Sequence, residues 1–308
     1  MKEMIRKKSI LIGAIAISIA AMLWGLDGVV LTPQLHNLDV SFAVLLLHLI
    51  PFLIMNTFLY KKYKNIKLLS KKEIIAIILV ALFGGALGTI AIVKALFLVN
   101  FQHLSVVILI QKLQPVFAIL LASILLREKL SKHYILFGSI AIIASYILTF
   151  QFTIPSFDSA NTNLYAVMFS LLAALSFGSS TVLSKVALQK LDFKTATFFR
   201  YGITSLIMLL ITTVNGHIID FPTVTPNNWL ILCLIGITTG SGALFLFYYG
   251  LKKVRAIIST VCELFFPLSA ILFDYLINDY VLSTVQWVAV IVMIVSILAL
   301  NVQNARKR

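Results

Sequence analysis

The stretch from Ile74 to Leu98 reads IIAIILVALFGGALGTIAIVKALFL and carries one charged side chain, Lys94. An α-helix rises about 1.5 Å per residue and the hydrocarbon core of a bilayer is about 30 Å thick, so about 20 apolar residues are enough to cross it. Lys71, Lys72 and Glu73 stand immediately before the apolar residues. The stretch is therefore predicted to form a membrane-spanning helix.

The same pattern recurs along the 308 residues, of which 60% are hydrophobic and 12% are charged. Soluble domains are about 45 to 50% apolar and about 25% charged, so an ordinary soluble protein is excluded. Ten crossings are predicted: Ile10 to Leu31, Val40 to Tyr60, Ile74 to Leu98, Leu104 to Leu126, His133 to Phe150, Leu164 to Ala187, Thr195 to Val214, Asn228 to Leu251, Ala256 to Ile277 and Val281 to Val302. The first exceeds the apolar core of about 7 to 15 residues found in secretory signals, so we expect an uncleaved helix.

Lysine and arginine outside these segments fall in alternate connections. They lie at the two termini and in the connections Lys61 to Lys72, Arg127 to Lys132, Lys190 to Lys194 and Lys252 to Arg255. Positively charged loops stay on the cytoplasmic side, so both termini are expected to be cytoplasmic. The net charge of +14 is thereby a topology signal and not a sign of nucleic-acid binding. The expected partners are a small-molecule substrate and the lipid bilayer, and the oligomeric state stays open.

The second half of the chain repeats landmarks of the first at an offset of 152 to 153 positions. The matches are Trp24-Gly25 with Phe177-Gly178, Leu38-Asp39 with Leu191-Asp192, Gly84 and Gly88 with Gly236 and Gly240, and Pro115 with Pro267. Each half holds five predicted crossings, and an odd number means that the second copy enters the membrane from the opposite side. The sequence thus predicts two inverted repeats, 1–150 and 164–308, joined by an outer linker, 151–163.

These features resemble the drug/metabolite transporter superfamily, specifically its ten-helix EamA type. The resemblance rests on Trp24-Gly25, Ala95-Leu96, the stretch from Pro115 to Arg127-Glu128-Lys129, Arg200, Gly250-Leu251 and Pro267. The chain departs from the pattern at Leu47, where the family often has an arginine, at Tyr280, where it has a glutamate, and by three extra residues between Ala95 and Pro115. The resemblance implies an integral cell membrane transporter, expected in a bacterial cytoplasmic membrane, and leaves the substrate open.

Charged groups inside a membrane are costly and mark a pathway or a structural pair. The titratable candidates are Asp27, His48, Lys94, Lys112, Lys185, Arg200, Glu263 and Asp274. Lys185 and Arg200 lie near cytoplasmic ends, where long side chains reach the headgroups, so we expect structural roles for them. Those near the outer ends, Asp27, Lys94 and Asp274, are either hydrated or part of an outer gate.

The deepest groups are His48 in crossing 2, Lys112 in crossing 4 and Glu263 in crossing 9, each about 12 Å or more from a surface. Gln111 matches Glu263 in the repeat, and in both copies a proline follows four residues later, predicted to kink the helix at Pro115 and Pro267. Transporters of this architecture bind substrate at such a midplane interface. The predicted substrate-binding residues are Glu263, Gln111, Lys112, Gln114, His48, Trp24 and Phe266. Three alternatives stay open: a proton carried by Glu263, a structural Lys112 to Glu263 ion pair, and a His48 that only bonds a backbone carbonyl.

Glycines Gly84, Gly88, Gly236 and Gly240 permit close helix packing and suit a mobile hinge. We expect an alternating-access carrier of a small polar or amphipathic organic metabolite, amino acid-like or related. Coupling of this transport to protons is one of the open alternatives. Cationic drugs and cofactors or nucleotides are the alternative cargoes. Contributions from crossings 1, 2, 3, 6 and 8 are implied by the resemblance.

Other classes are less well supported. A hydrolase would have to use Ser241, yet the potential bases His133 and His217 fall at or outside the membrane boundary. A channel would need filter-like repeated motifs, which the sequence lacks. Cys233 and Cys262 both lie inside apolar stretches, so no disulfide or zinc site is expected. We therefore expect no enzyme activity, no catalytic residue, no cofactor and no metal.

Overall fold

A computed structural model describes residues 2–99, 107, 110–111, 113–128, 132–152, 161–278 and 281–306, and it assigns no strand among these residues. The α-helices are α1 (Lys2–Leu26), α2 (Val40–Leu59), α3 (Lys71–Val80), α4 (Gly88–Leu98), α5 (Gln114–Leu125), α6 (Lys132–Phe150), α7 (Asn161–Ala187), α8 (Phe193–Val214), α9 (Pro226–Ile235), α10 (Ser241–Lys253), α11 (Ala256–Cys262), α12 (Phe265–Asn278) and α13 (Thr284–Arg306). The all-α class predicted from the sequence is confirmed for the described part of the chain.

Within the described ranges, seven helical segments are long and apolar enough to cross a membrane. They are Arg6–Leu35, Val40–Leu68, Lys71–Leu98, Leu164–Ala187, Phe193–Val214, Pro226–Lys253 and Ala256–Ile277. Shorter apolar helices, Gln114–Leu125, Ile135–Leu148 and Thr284–Ser296, lie where the sequence predicts crossings 4, 5 and 10.

Matched aspartates begin the second crossing of each half. The Asp39 side chain accepts hydrogen bonds from the backbone N–H groups of Ser41 and Phe42 at the start of α2, and Asp192 accepts from the N–H of Thr195 at the start of α8. The first N–H groups of a helix have no partner within it, so a capping carboxylate fixes where the helix begins. The repeat seen in the sequence therefore sets helix starts at equivalent places.

Three short π-helical segments interrupt the long crossings. Ala81–Leu87 separates α3 from α4, Gly236–Gly240 separates α9 from α10, and Asp27–Leu31 follows α1. The first two occupy equivalent positions in the repeat. A π-helical turn widens the hydrogen-bond ladder and is frequent at functional sites, so these segments direct attention to what they surround.

The two halves pack against each other along their whole length. Helix α1 packs on α10 and α12, α2 on α8, α4 and α5 on α7, and α6 on α13. Each pair joins one helix of the first half to one of the second. The halves therefore share a single interior, while large apolar side chains such as Phe58, Ile124 and Leu210 are exposed on the outside, as suits contact with lipid.

Candidate functional site

A cavity of about 270 Å³ lies in this shared interior. It is slightly smaller than typical small-molecule pockets of about 300 to 1,000 Å³. Aromatic side chains of α1, α7, α10 and α12 form its apolar walls: Trp24, Phe177, Phe247 and Phe266. Its polar groups include Asp27, His48, Gln111, Gln114, Arg200 and Glu263. The lining is thus amphipathic, with residues from both halves.

Crossings 4 and 9 break at the level of the cavity. Helix α11 ends at Cys262 and α12 begins at Phe265, and between them the N–H of Leu264 donates to the carbonyl of Val261 at 3.1 Å. In the first half the N–H of Leu113 donates to the carbonyl of Ile110 at 3.0 Å, immediately before α5. Such three-residue bonds tighten a helix into a turn. The following prolines, Pro115 and Pro267, thus each stand just beyond a break in the α-helix.

The break in the second half places Glu263 in the cavity. Its Oε2 accepts a hydrogen bond of 2.6 Å from Nε2 of Gln114 on the other half. Its Oε1 is buried and has no hydrogen-bond partner among the residues that the structure describes. Leaving a buried acceptor unsatisfied costs about 1 to 3 kcal/mol, so this oxygen is suited to accept a bond from a ligand. Lys112, the partner considered from the sequence, lies outside the described residues.

The other predicted binding residues are placed as follows. Gln111, Trp24 and Phe266 line the cavity. His48 lines it as well, and its Nδ1 is 2.9 Å from the carbonyl of Val44, one turn earlier in α2. A ring nitrogen that faces a carbonyl must carry the hydrogen, so His48 makes the backbone bond considered from the sequence and still contributes its ring to the wall.

The EamA-like transporter family matches residues 11–150 and 164–302 of this chain. The chain belongs to this family. It is also 50% identical over 293 residues to the riboflavin transporter ImpX of Fusobacterium nucleatum subsp. nucleatum, a match that covers 95% of this chain and 98% of that protein. A solved crystal structure matches with a TM-score of 0.71 at 15% identity, over 98% of this chain and all of that one, which supports the fold alone.

The family resemblance predicted from the sequence is thereby confirmed. The chain is an integral membrane transporter and not an enzyme, because both the family and the relative are transporters. The hydrolase and channel alternatives are set aside for the same reason. Within the described ranges, no group of three or more His, Cys, Asp and Glu side chains is placed to hold a metal ion.

In this EamA-like transporter the structure describes the side chains of two of the three residues considered for an outer gate. Asp27 lines the central cavity, and its Oδ1 accepts a hydrogen bond of 3.2 Å from Oγ1 of Thr32. Lys94 is exposed on α4, with Nζ 5.3 Å from the ring centre of Phe169. The side chain of Asp274 lies outside what the structure describes. Asp27 is thus a wall residue of the cavity.

The four repeated glycines lie in or beside the two matched π-helical segments. Gly84 and Gly240 line the cavity, whereas Gly88 and Gly236 pack behind it. A Cβ atom on Gly84 would lie 2.0 Å from Oγ of Ser180, and one on Gly236 would lie 3.4 Å from Cγ of Pro51. Gly84 therefore permits a helix approach that no other residue allows, while Gly236 has ordinary space around it.

The two cations expected to reach the headgroups do something different in the EamA-like fold. Nζ of Lys185 donates to the carbonyls of Leu251 and Val254 at the end of α10, which caps that helix. Arg200 turns its guanidinium to the cavity, where Nη2 donates to the carbonyl of Gly84 at 2.7 Å. Sequence reasoning missed Arg200 as a site residue, although its replacement by Leu47 in the other repeat was a signal that the position matters.

Proposed function

We propose that this chain carries riboflavin, or a closely related neutral flavin, across the membrane by alternating access. The observation that carries the proposal is the 50% identity, over nearly the full length of both chains, to a protein named as a riboflavin transporter. A flavin substrate is more specific than the small polar or amphipathic metabolite expected from the sequence. It falls within the cofactor class of cargo that the sequence left as an alternative.

The cavity chemistry supports a flavin. Riboflavin joins a flat tricyclic ring system to a chain of hydroxyl groups, so its site needs aromatic faces beside hydrogen-bonding groups. Trp24 and Phe247, with ring centres 5.3 Å apart, offer such faces together with Phe177 and Phe266. Aromatic pairs contribute about 0.5 to 1.5 kcal/mol beyond the area that they bury. The amphipathic lining therefore suits an amphipathic ring compound better than a small ion.

Glu263 is the polar anchor in this proposal. Its Oε1 is available to accept a hydrogen from a ligand hydroxyl or ring N–H, while Gln114 fixes the carboxyl through Oε2. Gln111 adds an amide that both donates and accepts. These groups, together with Lys112, Gln114, His48, Trp24 and Phe266, make up the proposed substrate site.

The proposed architecture has ten crossings in two inverted repeats with both termini in the cytoplasm. It is supported by the alternating distribution of lysine and arginine and by the three shorter apolar helices that accompany the seven long segments. Fluorescent-protein fusions at each terminus test it, because a fluorophore that matures only in the cytoplasm is expected to light up at both ends. A dark fusion at either end would contradict the orientation.

The decisive experiment is binding of riboflavin to the purified protein, read as quenching of flavin fluorescence and as thermal stabilisation. A ligand that binds only the folded state raises its stability by about 2.7 kcal/mol at one hundred times Kd. Glu263→Gln is expected to weaken binding by about tenfold, since the glutamine oxygen stays with Gln114 and an NH2 donor then stands where the ligand needs an acceptor. Amino acids, nucleosides and cationic drugs serve as competitors.

Glu73→Gln is the matched control. Glu73 lies outside the cavity and closes a capping box with Ser70, a role that glutamine also fills. This variant should bind riboflavin like the parent protein. No riboflavin binding by a folded parent protein, with saturable binding of another compound class, would overturn the flavin assignment. Loss of pH-dependent uptake in Glu263→Gln with normal riboflavin binding would instead make this carboxyl a proton carrier.

A further inference from the structure

Arg200 joins crossings of both halves at one end of the cavity. Nη2 donates to the Gly84 carbonyl at 2.7 Å, and Nη1 donates to the hydroxyl of Tyr248 on α10 at 3.2 Å. That hydroxyl lies 2.8 Å from Oγ of Ser184 on α7. One guanidinium on α8 thus links three other crossings, and hydrogen bonds that involve a charged group are about twice as strong as neutral ones.

Beyond Arg200 the interior is closed. Phe198 stands two residues before Arg200 in α8 and is fully buried. It belongs to one apolar cluster with Ile17, Val80 and Leu251, which are also fully buried. This cluster lies towards the ends of the helices that lead to the lysine-rich segments 61–72 and 190–194. A solute that leaves the cavity on that side must separate the cluster and pass the contacts of Arg200.

The acceptor of Arg200 depends on local backbone structure. Gly84 lies inside the π-helical segment Ala81–Leu87, where the regular ladder of α-helical bonds is interrupted. A Cβ atom on Gly84 would lie 3.0 Å from Nη2 of Arg200, so only glycine lets the guanidinium approach this carbonyl freely. The segment and the glycine together present a carbonyl to the arginine.

The equivalent place in the first half has no such contact. Leu47 matches Arg200 in the repeat and lines the same cavity, but its side chain forms no hydrogen bonds. The carbonyl of Gly236, which matches Gly84, accepts from Oγ of Ser241 at 2.6 Å within its own crossing. Among the described residues, the bond between Arg200 and Gly84 therefore has no counterpart at the matched pair Leu47 and Gly236.

We propose that Arg200 is a gating residue: its bond to Gly84 holds the cavity shut towards the lysine-rich side, and opening towards that side requires the guanidinium to exchange Gly84 for oxygen atoms of the substrate. A guanidinium left without an acceptor in a buried site is costly, so opening is favoured when a substrate supplies one. Calling the lysine-rich side cytoplasmic rests on the proposed topology, and naming a flavin as the substrate rests on the proposed function.

The test measures access to the cavity from each side without using transport. A single reporter, Thr181→Cys, is placed on the cavity wall after Cys233→Ser and Cys262→Ala remove the native thiols. A membrane-impermeant maleimide is added to right-side-out and to inside-out vesicles. Arg200→Leu, which copies the residue of the first half, is expected to raise labelling from the lysine-rich side by about tenfold, the effect of losing one hydrogen bond to a charged group.

Three further variants keep the test decisive. Tyr248→Phe removes only the hydroxyl and should shift labelling in the same direction by less, and Arg200→Lys should be intermediate. Both stay informative where Arg200→Leu fails to fold. Lys194→Leu removes an exposed cation from the same helix, α8, outside the cavity, and it should label like the parent. Unchanged labelling from both sides in folded Arg200→Leu and Arg200→Lys would overturn the gating role.

The outcome is separable from that of the flavin proposal. A protein that fails to bind riboflavin can still show the labelling shift. In that case the gating role of Arg200 would stand and riboflavin would be rejected as the substrate. Riboflavin added to the parent protein should raise labelling from the lysine-rich side, and it should have no such effect in Arg200→Leu. Binding of riboflavin without any change of labelling in the parent would reject the exchange of Gly84 for substrate oxygens.

Discussion

The aspartates at the start of α2 and α8 occupy matched positions in the two halves, and each pairs with a basic side chain of the other half. Oδ2 of Asp39 is 3.5 Å from Nε2 of His217, whereas Oδ2 of Asp192 is 3.1 Å from Nζ of Lys62. The caps are the same and the partners differ. The two halves preserve the groups that shape the backbone and diverge in the groups that meet across the halves, so the contacts at the two capped helix starts are not equivalent.

The same division holds deeper in the fold. Proline breaks and π-helical segments are matched between the halves, yet Gln111 stands opposite Glu263 and Leu47 opposite Arg200. Many carriers alternate between two related conformations by using such matched halves. Under the alternating access proposed here, the unmatched side chains would set the preference between those conformations.

The largest expected effect compares Gly84→Ala with Gly236→Ala. The first puts a methyl group 2.0 Å from Oγ of Ser180, whereas the second puts one 3.4 Å from Pro51. Overpacking costs about 1 to 3 kcal/mol, while alanine in an open helical position is favoured over glycine by about 1 kcal/mol. Thermal denaturation in detergent should therefore show a clear loss only for Gly84→Ala. Equal losses would mean that the glycines act through backbone freedom and not through close packing.

A smaller effect is expected from removing the caps. Asp39→Ala and Asp192→Ala should each lower the free energy of unfolding by about 1 kcal/mol, since the N–H groups at the helix start lose their acceptor. Asp39→Asn and Asp192→Asn are the matched controls, because asparagine caps equally well without a charge. Their residual effect, measured by thermal denaturation, isolates each ion pair. Asparagine variants as unstable as the alanine variants would contradict a capping role.

The pH dependence of these caps follows from their pKa values. Partial burial of Asp39 opposes ionisation, but hydrogen bonds from Ser41 and Phe42 and the nearby charge of His217 outweigh it and hold its pKa below the ordinary value. Asp192 also has a lowered pKa, because bonds from Thr195 and Lys62 outweigh its partial burial. A carboxyl group whose pKa is lowered by folding stabilises the folded state fully at pH values above its ordinary pKa of about 3.9. This stabilisation is lost as the pH falls through the lowered pKa of the folded state. Both caps should therefore persist at neutral pH and weaken only in strong acid, which thermal denaturation as a function of pH measures.

Much of this organisation was predictable from residue pattern. Hydropathy locates the long crossings, and the repeat offset places Glu263, Gln111 and the two prolines together at one level, where the structure puts a cavity. The π-helical segments were not predictable, because hydropathy does not depend on which carbonyl an N–H group bonds. Arg200 was misjudged for a related reason: distance from a helix end indicates depth, but only the packing of α8 shows which way the side chain points.

The smallest expected effect compares the ion pairs at the two faces. Nδ1 of His217 also lies 2.9 Å from Oδ2 of Asp220, so two carboxylates surround this ring, whereas Asp192 pairs with a lysine. His217→Gln removes the basic partner of Asp39, and Lys62→Gln removes that of Asp192, so each variant should loosen only its own face. Exposed pairs contribute about 0.2 to 1 kcal/mol, which limits the effect to a few-fold change in access to the cavity. At one fixed pH, the Thr181→Cys reporter should gain labelling from the His217 side in His217→Gln and from the lysine-rich side in Lys62→Gln. If both variants labelled like the parent from both sides, these ion pairs would not hold the faces closed, and the two faces would differ through Arg200 alone.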